Sequence, residues 1–194
     1  MAPFDLQPAA GSAGKITFMN YQTISEIYEA NDKIRERLKN TVSNLSDEQL
    51  NFLPADGEWT IANIVEHVSL VDGGIIRLSA KLLTDAREKG ERSDGTAKIS
   101  EAFLQEASIP RKLQAPERVR PTGTRTVAES FAKMDENREK LEELRSLFET
   151  VECSDLKFPH PYFGDLTAHE WLALLGGHEA RHTKQIEGIL SQTQ

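Results

Sequence analysis

Apolar residues recur along the chain at three- and four-residue steps in four long runs, the period of amphipathic helices. The first run extends from near Asn20 to about Asn44, with Ile24, Ile27, Ile34 and Leu38 on its inner stripe. Thr23 followed by Glu26 has the form of a capping box, in which hydroxyl and carboxylate each cap the other residue's backbone N–H. The second runs from about Thr60 to Glu88 through Ile61, Ile64, Val68, Val71, Ile75, Leu78 and Leu82. The third, from Thr126 to Thr150, opens on Thr126 and Glu129 and carries Phe131, Met134, Leu141, Leu144 and Leu147. The fourth, from Thr167 to about Ser191, opens on Thr167 and Glu170 and turns Trp171, Leu174, Leu175, Ile186 and Ile189 inward. A further turn of helix is expected after Ser46, and a short helix over "ISEAFLQEA".

Four such helices predict an all-α four-helix bundle. The connection between the second and third is about 35 residues, far longer than a tight antiparallel loop needs. That is enough chain to travel the length of the bundle. The third helix then starts at the end where the second started, which predicts an up-down-down-up order with a long crossover between helices two and three. The N-terminal stretch, residues 1–18, is rich in small residues and proline and reads as a flexible tail, leaving 19–194 as one domain.

Composition narrows the chemistry. Asp and Glu number 31 against 23 Lys and Arg, a formal charge of −8, which argues against nucleic acid or an anionic membrane as partner. No apolar run approaches the roughly 20 residues that span a bilayer. No signal peptide is recognisable, so a cytoplasmic setting is expected. The single cysteine, Cys153, allows neither an internal disulfide nor a cysteine-based zinc site.

Candidate chemistry lies in the histidines. "LLGGHEARHTKQI" contains His178-Glu179-Ala180-Arg181-His182, the H-E-x-x-H form of a zinc protease helix. His178 and His182 continue the stripe of Leu175, Ile186 and Ile189, and His67 falls between Ile64 and Val71 on the second helix, so all three are expected to face inward. A buried imidazole left unpaired costs about 1–3 kcal/mol, and one metal ion would satisfy all three. Depth agrees. His67 lies roughly 10 Å from the start of its helix and His182 roughly 13 Å from the end of its own. These depths match when helices two and four are antiparallel, as the crossover also requires.

The protease reading fails on the remaining ligand. The extended motif needs Gly and His where this chain has Gln185 and Gly188, and Glu187 is too close on the same helix. The third ligand must come from upstream, and His67 is the best placed. Glu179 is then expected off the stripe, at the surface or behind the ligands. Arg181 is expected to pair with an acidic neighbour, with an anionic substrate as its alternative. His160 is assigned to a loop near a bundle end and His169 to the first turn of helix four. The glycine pairs Gly73-Gly74 and Gly176-Gly177 fit close helix approach, a kink or room for a ligand.

"GEWTIANIVEHV", with the later "FPHPYFGDLTAHEWLALLGGHEARHTKQI", resembles the DinB/YfiT-like family over roughly residues 20 to 192. The likeness lies in a Trp-led second helix bearing His67 and in a His-Pro/Phe-Gly loop before H-x-x-x-H. The resemblance implies a four-helix bundle with a divalent metal, zinc or nickel, on His67, His178 and His182. It further implies a thiol-dependent S-transferase or isomerase activity with a low-molecular-weight thiol, and a homodimer. It gives no support for DNA binding. A metal- or ligand-binding module without turnover is the alternative, and a metal-dependent hydrolase a more distant one.

Overall fold

The computed structural model describes residues 21–192 apart from 56, 58 and 110–112. The expected tail over residues 1–18 and the expected helix start at Asn20 lie outside the described residues. In chain order the elements are α1 (Ile24–Val42), α2 (Asp47–Asn51), α3 (Ile61–Lys89), α4 (Glu101–Ser108), a 3₁₀ turn (Glu117–Val119), α5 (Val127–Glu143), α6 (Arg145–Thr150), β1 (Lys157–His160), β2 (Gly164–Thr167) and α7 (Ala168–Leu190).

The boxes at Thr23/Glu26, Thr126/Glu129 and Thr167/Glu170 all form; α5 and α7 begin where the sequence places them, while α1 begins at Ile24, behind its box, rather than near Asn20. Thr60 with Asn63 does the same for α3, and Ser46 with Gln49 for α2. Gly90, at φ 78°, stops α3 in the left-handed conformation that glycine adopts without penalty. The expected third helix is interrupted at Leu144, whose N–H bonds back to Leu141 as well as Glu142. That tight turn separates α5 from α6.

The order is up-down-down-up. α1 and α7 run parallel: Asn31 Nδ2 donates to the Leu172 carbonyl, Arg35 to Glu179 and Arg37 to Glu187. α1 and α5 run antiparallel, with Tyr28 bonded to the Leu141 carbonyl and Lys39 paired with Asp135. α3 and α5 run parallel, with Glu66 level with Gly123 and Ser69 with Asn137. α3 and α7 are antiparallel, since Ile61 and Ile64 pack in one cluster with Ile186 and Ile189, while Ile75 and Leu83 pack in another with Leu172 and Leu175. The crossover therefore travels the bundle's length. It leaves α3 beside the start of α1, where Thr23 bridges Thr96, and ends beside the start of α3, where Thr122 and Gly123 donate to Glu66. α4 forms on the way, as the sequence predicts.

Between the two apolar clusters lies a polar layer built on Arg35. Its Nε and Nη2 donate to Glu179 at 2.8 and 2.5 Å, Nη2 also meets Asp72 at 2.5 Å, and Nη1 donates to the Met134 carbonyl at 3.2 Å. One guanidinium thus joins all four long helices. The glycine pairs resolve toward close approach. A Cβ on Gly176 would lie 2.0 Å from Asn31 Oδ1, and one on Gly73 would lie 3.3 Å from Asn137 Nδ2, whereas Gly74 has open space.

A small antiparallel hairpin, β1 with β2, was not foreseen; it pairs Lys157 with Thr167 and His160 with Gly164, and delivers the chain to α7. No described helix is long and apolar enough to cross a membrane.

Candidate metal centre

His67 enters from α3, His178 and His182 from successive turns of α7. Because these helices are antiparallel, their level residues meet. Each imidazole offers a nitrogen, and the three nitrogens lie within 4.8 Å of one another. His67 Nε2 and His178 Nε2 are 3.2 Å apart. Two nitrogens bound to a tetrahedral zinc at about 2.05 Å stand about 3.3 Å apart, so this spacing suits a shared ion. The ring centroids are 4.5–5.1 Å apart.

The outer nitrogens support the same reading. His67 Nδ1 lies 2.7 Å from the Val119 carbonyl on the 3₁₀ turn, and His182 Nδ1 lies 2.9 Å from Gln185 Oε1. A carbonyl oxygen only accepts, so each Nδ1 carries the proton and each Nε2 keeps its lone pair. His178 Nδ1 is buried without a partner. Burial is the largest cause holding all three imidazoles below their usual pKa. At His178 the neighbouring His182 and His67 add to it; at His182, His67 and then Arg181 do; at His67, Arg181 does, with the Val119 hydrogen bond opposing. The rings are therefore neutral at neutral pH, the state a cation requires.

Several expectations change. His178 keeps partial exposure, while Leu175, Glu179, His182 and Ile186 on the same helix are buried. Glu179, expected off the stripe at the surface or behind the ligands, is instead fully buried, at 0% exposure. It is held by Arg35 inside the bundle, which removes it as the base of a zincin-type mechanism. Arg181 does not pair with an acid: among the described residues it has no hydrogen-bonded or ion-paired partner, and burial alone perturbs it.

His160 sits at the end of β1, stacked on Phe163 at 4.5 Å and 5.2 Å from the Trp171 ring. Burial lowers its pKa to about 4, and it belongs to a strand whose end packs on Trp171 of α7 rather than to a loop. His169 is in the first turn of α7 as expected, buried, accepting from the Lys98 N–H and facing the Phe148 carbonyl. Cys153 is buried, and burial pushes its thiol up to about 11, far from a nucleophile's range.

Sequence reasoning missed Arg35, Asp72 and Glu66. Asp72 had a signal, an acid within the apolar run of α3. Arg35 had none, because its partners lie on other helices. Glu66 is buried and accepts from Thr122 and Gly123, anchoring the crossover beside His67.

Fold and site together define a helical bundle that gathers three neutral imidazoles from two antiparallel helices beneath a long crossover. The profile of the DinB superfamily matches residues 30–186, and the chain belongs to that family. The uncharacterized protein YuaE of Bacillus subtilis (strain 168) is 28% identical over 158 residues, covering 77% of this chain and 88% of its own length. Among solved structures, the crystal structure of TT2238, a four-helix bundle protein, superposes with a TM-score of 0.56 at 23% identity. The alignment covers 85% of this chain and 98% of that one, and it supports the fold alone.

Proposed function

We propose that His67, His178 and His182 hold one divalent cation, zinc or nickel, and that the protein uses it in thiol-dependent S-transfer. The observation that carries this reading is the gathering of three imidazole nitrogens within 4.8 Å of one another, with the Nδ1 protons of His67 and His182 held by carbonyl oxygens so that Nε2 of each keeps its lone pair. A bound cation would supply Lewis acidity that stabilises a thiolate at neutral pH. The protein's own part is to keep the imidazoles neutral through burial, to fix two rings through Val119 and Gln185, and to leave His178 partly open for a small thiol to approach. Hydrolysis is less well served, because Glu179, the acid nearest in sequence, is committed to Arg35.

The test is metal stoichiometry across the five single His→Ala variants, purified without a tag and dialysed alike. His67→Ala, His178→Ala and His182→Ala should lose metal while keeping their helical signal, and His160→Ala and His169→Ala should keep it. Unchanged stoichiometry after loss of His67, or its collapse after loss of His160, refutes the ligand set. Turnover is tested separately, with a small thiol and an aryl halide. A carbon–sulfur bond forms, halide leaves with the bonding electrons, and the thiol proton passes to solvent. Metal binding without metal-dependent turnover across a range of such pairs would make the protein a binding module.

A further inference from the structure

Three groups along α7 at and before the histidine cluster are donors without partners among the described residues. Arg181, half-buried on α7 between His178 and His182, has no acceptor among the described residues. His178 Nδ1 must carry a proton whenever Nε2 serves a cation, and it is buried with none. Trp171, two turns before His178 on the same stripe, buries its Nε1 likewise.

The three acids of α7, and Glu66 beside His67 on α3, are spoken for. Glu179 is bound to Arg35, Glu66 to Thr122 and Gly123, Glu187 to Arg37, and Glu170 to Ser100 and the Thr167 N–H. Each lies in a pairing that pins a helix or the crossover.

Arginine stays charged in proteins, so burial without a counter-ion is a standing cost. Arg181 is close enough to His67, His178 and His182 to disfavour their protonation. Three neutral imidazoles bring no negative charge of their own. A divalent cation on them would place two more positive charges beside the guanidinium, and the loaded site would then lack any protein anion. Such a site is completed by an anion from outside.

From this we infer that Arg181 anchors an oxyanion of the substrate, a carboxylate or phosphate, while the reacting end lies at the histidine cluster. The guanidinium fork suits either group. The inference deepens the proposed function by making the substrate class anionic, and its place in the reaction rests on that reading; the binding itself does not.

The experiment uses metal-free protein, so that binding is read without turnover or competition for the ion. Wild type and Arg181→Gln are titrated with inorganic phosphate and, in a second arm, succinate, following the thermal midpoint and heat of binding. Wild type should be stabilised by one or both probes, and the arm that responds distinguishes phosphate from carboxylate. In Arg181→Gln the apparent affinity should fall at least about tenfold. Without probe the variant should melt at or above the wild-type midpoint, because it loses an unpaired half-buried cation; a merely structural arginine would give a lower one. Arg181→Lys, which keeps charge but not the fork, should bind with intermediate affinity, and it carries the test if the glutamine variant does not fold. Absence of stabilisation in wild type by both probes, or equal affinity in wild type and Arg181→Gln, overturns the anchor. Anion binding that depends on Arg181 in a protein without S-transfer activity would instead count against the proposed reaction and leave the anchor standing.

Discussion

Replacing Arg35 with methionine isolates the polar layer, since methionine keeps much of the side chain's bulk and removes only the charge and the donors. Asp72 and Glu179, both at 0% exposure, then lose their shared cation. Burial first, and for Asp72 the neighbouring Glu179 next, already raises both carboxyls above ordinary values of 3.8 and 4.5, with Arg35 opposing. Without Arg35 a carboxyl that had stayed ionised must take up a proton. Holding a proton costs about 1.4 kcal/mol per pH unit above the unfolded pKa. With that pKa near 4, the cost is roughly 4 kcal/mol at about pH 7 and roughly 1 kcal/mol at about pH 5. The upper figure falls in the range of about 3–5 kcal/mol found when one partner of a buried ion pair is removed. Urea unfolding at both pH values measures it, as a lowered midpoint with an unchanged slope. Adding Asp72→Asn and Glu179→Gln to Arg35→Met should abolish the pH dependence of the loss. A loss under about 1 kcal/mol at neutral pH, the size typical of a surface pair, or a loss equal at both pH values, would refute this account of the layer.

Gly176→Ala should destabilise the fold by about 1–3 kcal/mol, because its Cβ would lie 2.0 Å from Asn31 Oδ1 and force apart the Asn31–Leu172 contact between α1 and α7. Gly74→Ala, with open space, should stabilise by up to about 1 kcal/mol; equal effects in chemical denaturation would contradict the packing. In metal-free protein all five histidines have a folded pKa below the ordinary 6.5, so the unfolded chain binds more protons and stability should fall as pH drops beneath that value and level off above it. The raised Asp72 acts in the opposite sense, giving stability at low pH that is lost as pH rises through its folded pKa. Asp72→Asn should therefore steepen the rise of unfolding midpoint with pH, and an unchanged slope would argue against a raised Asp72.

The helices and their order were legible because local rules and global packing agree. Three capping boxes mark helix starts that form as read, and the length of the crossover alone selects the direction of α5. His67, His178 and His182 were legible through phase and depth, quantities that an antiparallel pair of helices converts directly into proximity. What escaped was what depends on partners far apart in sequence. Glu179 reads as an acid at the surface or behind the ligands until Arg35, on α1, is known to reach it, and no spacing within α7 announces that. The orientation of His67 depends on a single carbonyl, Val119, in a stretch without periodicity. The hairpin was missed because strands of four residues carry too little alternation to stand out.

The division of labour between α3 and the crossover has a consequence for how such a protein can change. The helices supply the imidazoles, but the Val119 carbonyl sets the tautomer and pose of His67, and the anchoring of Thr122 and Gly123 on Glu66 sets where that carbonyl stands. The pose of that imidazole can thus be retuned by rewriting the connecting segment around Val119, away from Phe103 and Ala107, which the same segment packs into the core. Transplanting the crossover of one relative onto the helices of another, with the Glu66 clasp retained, becomes a way to re-pose that histidine while the bundle remains the same chassis.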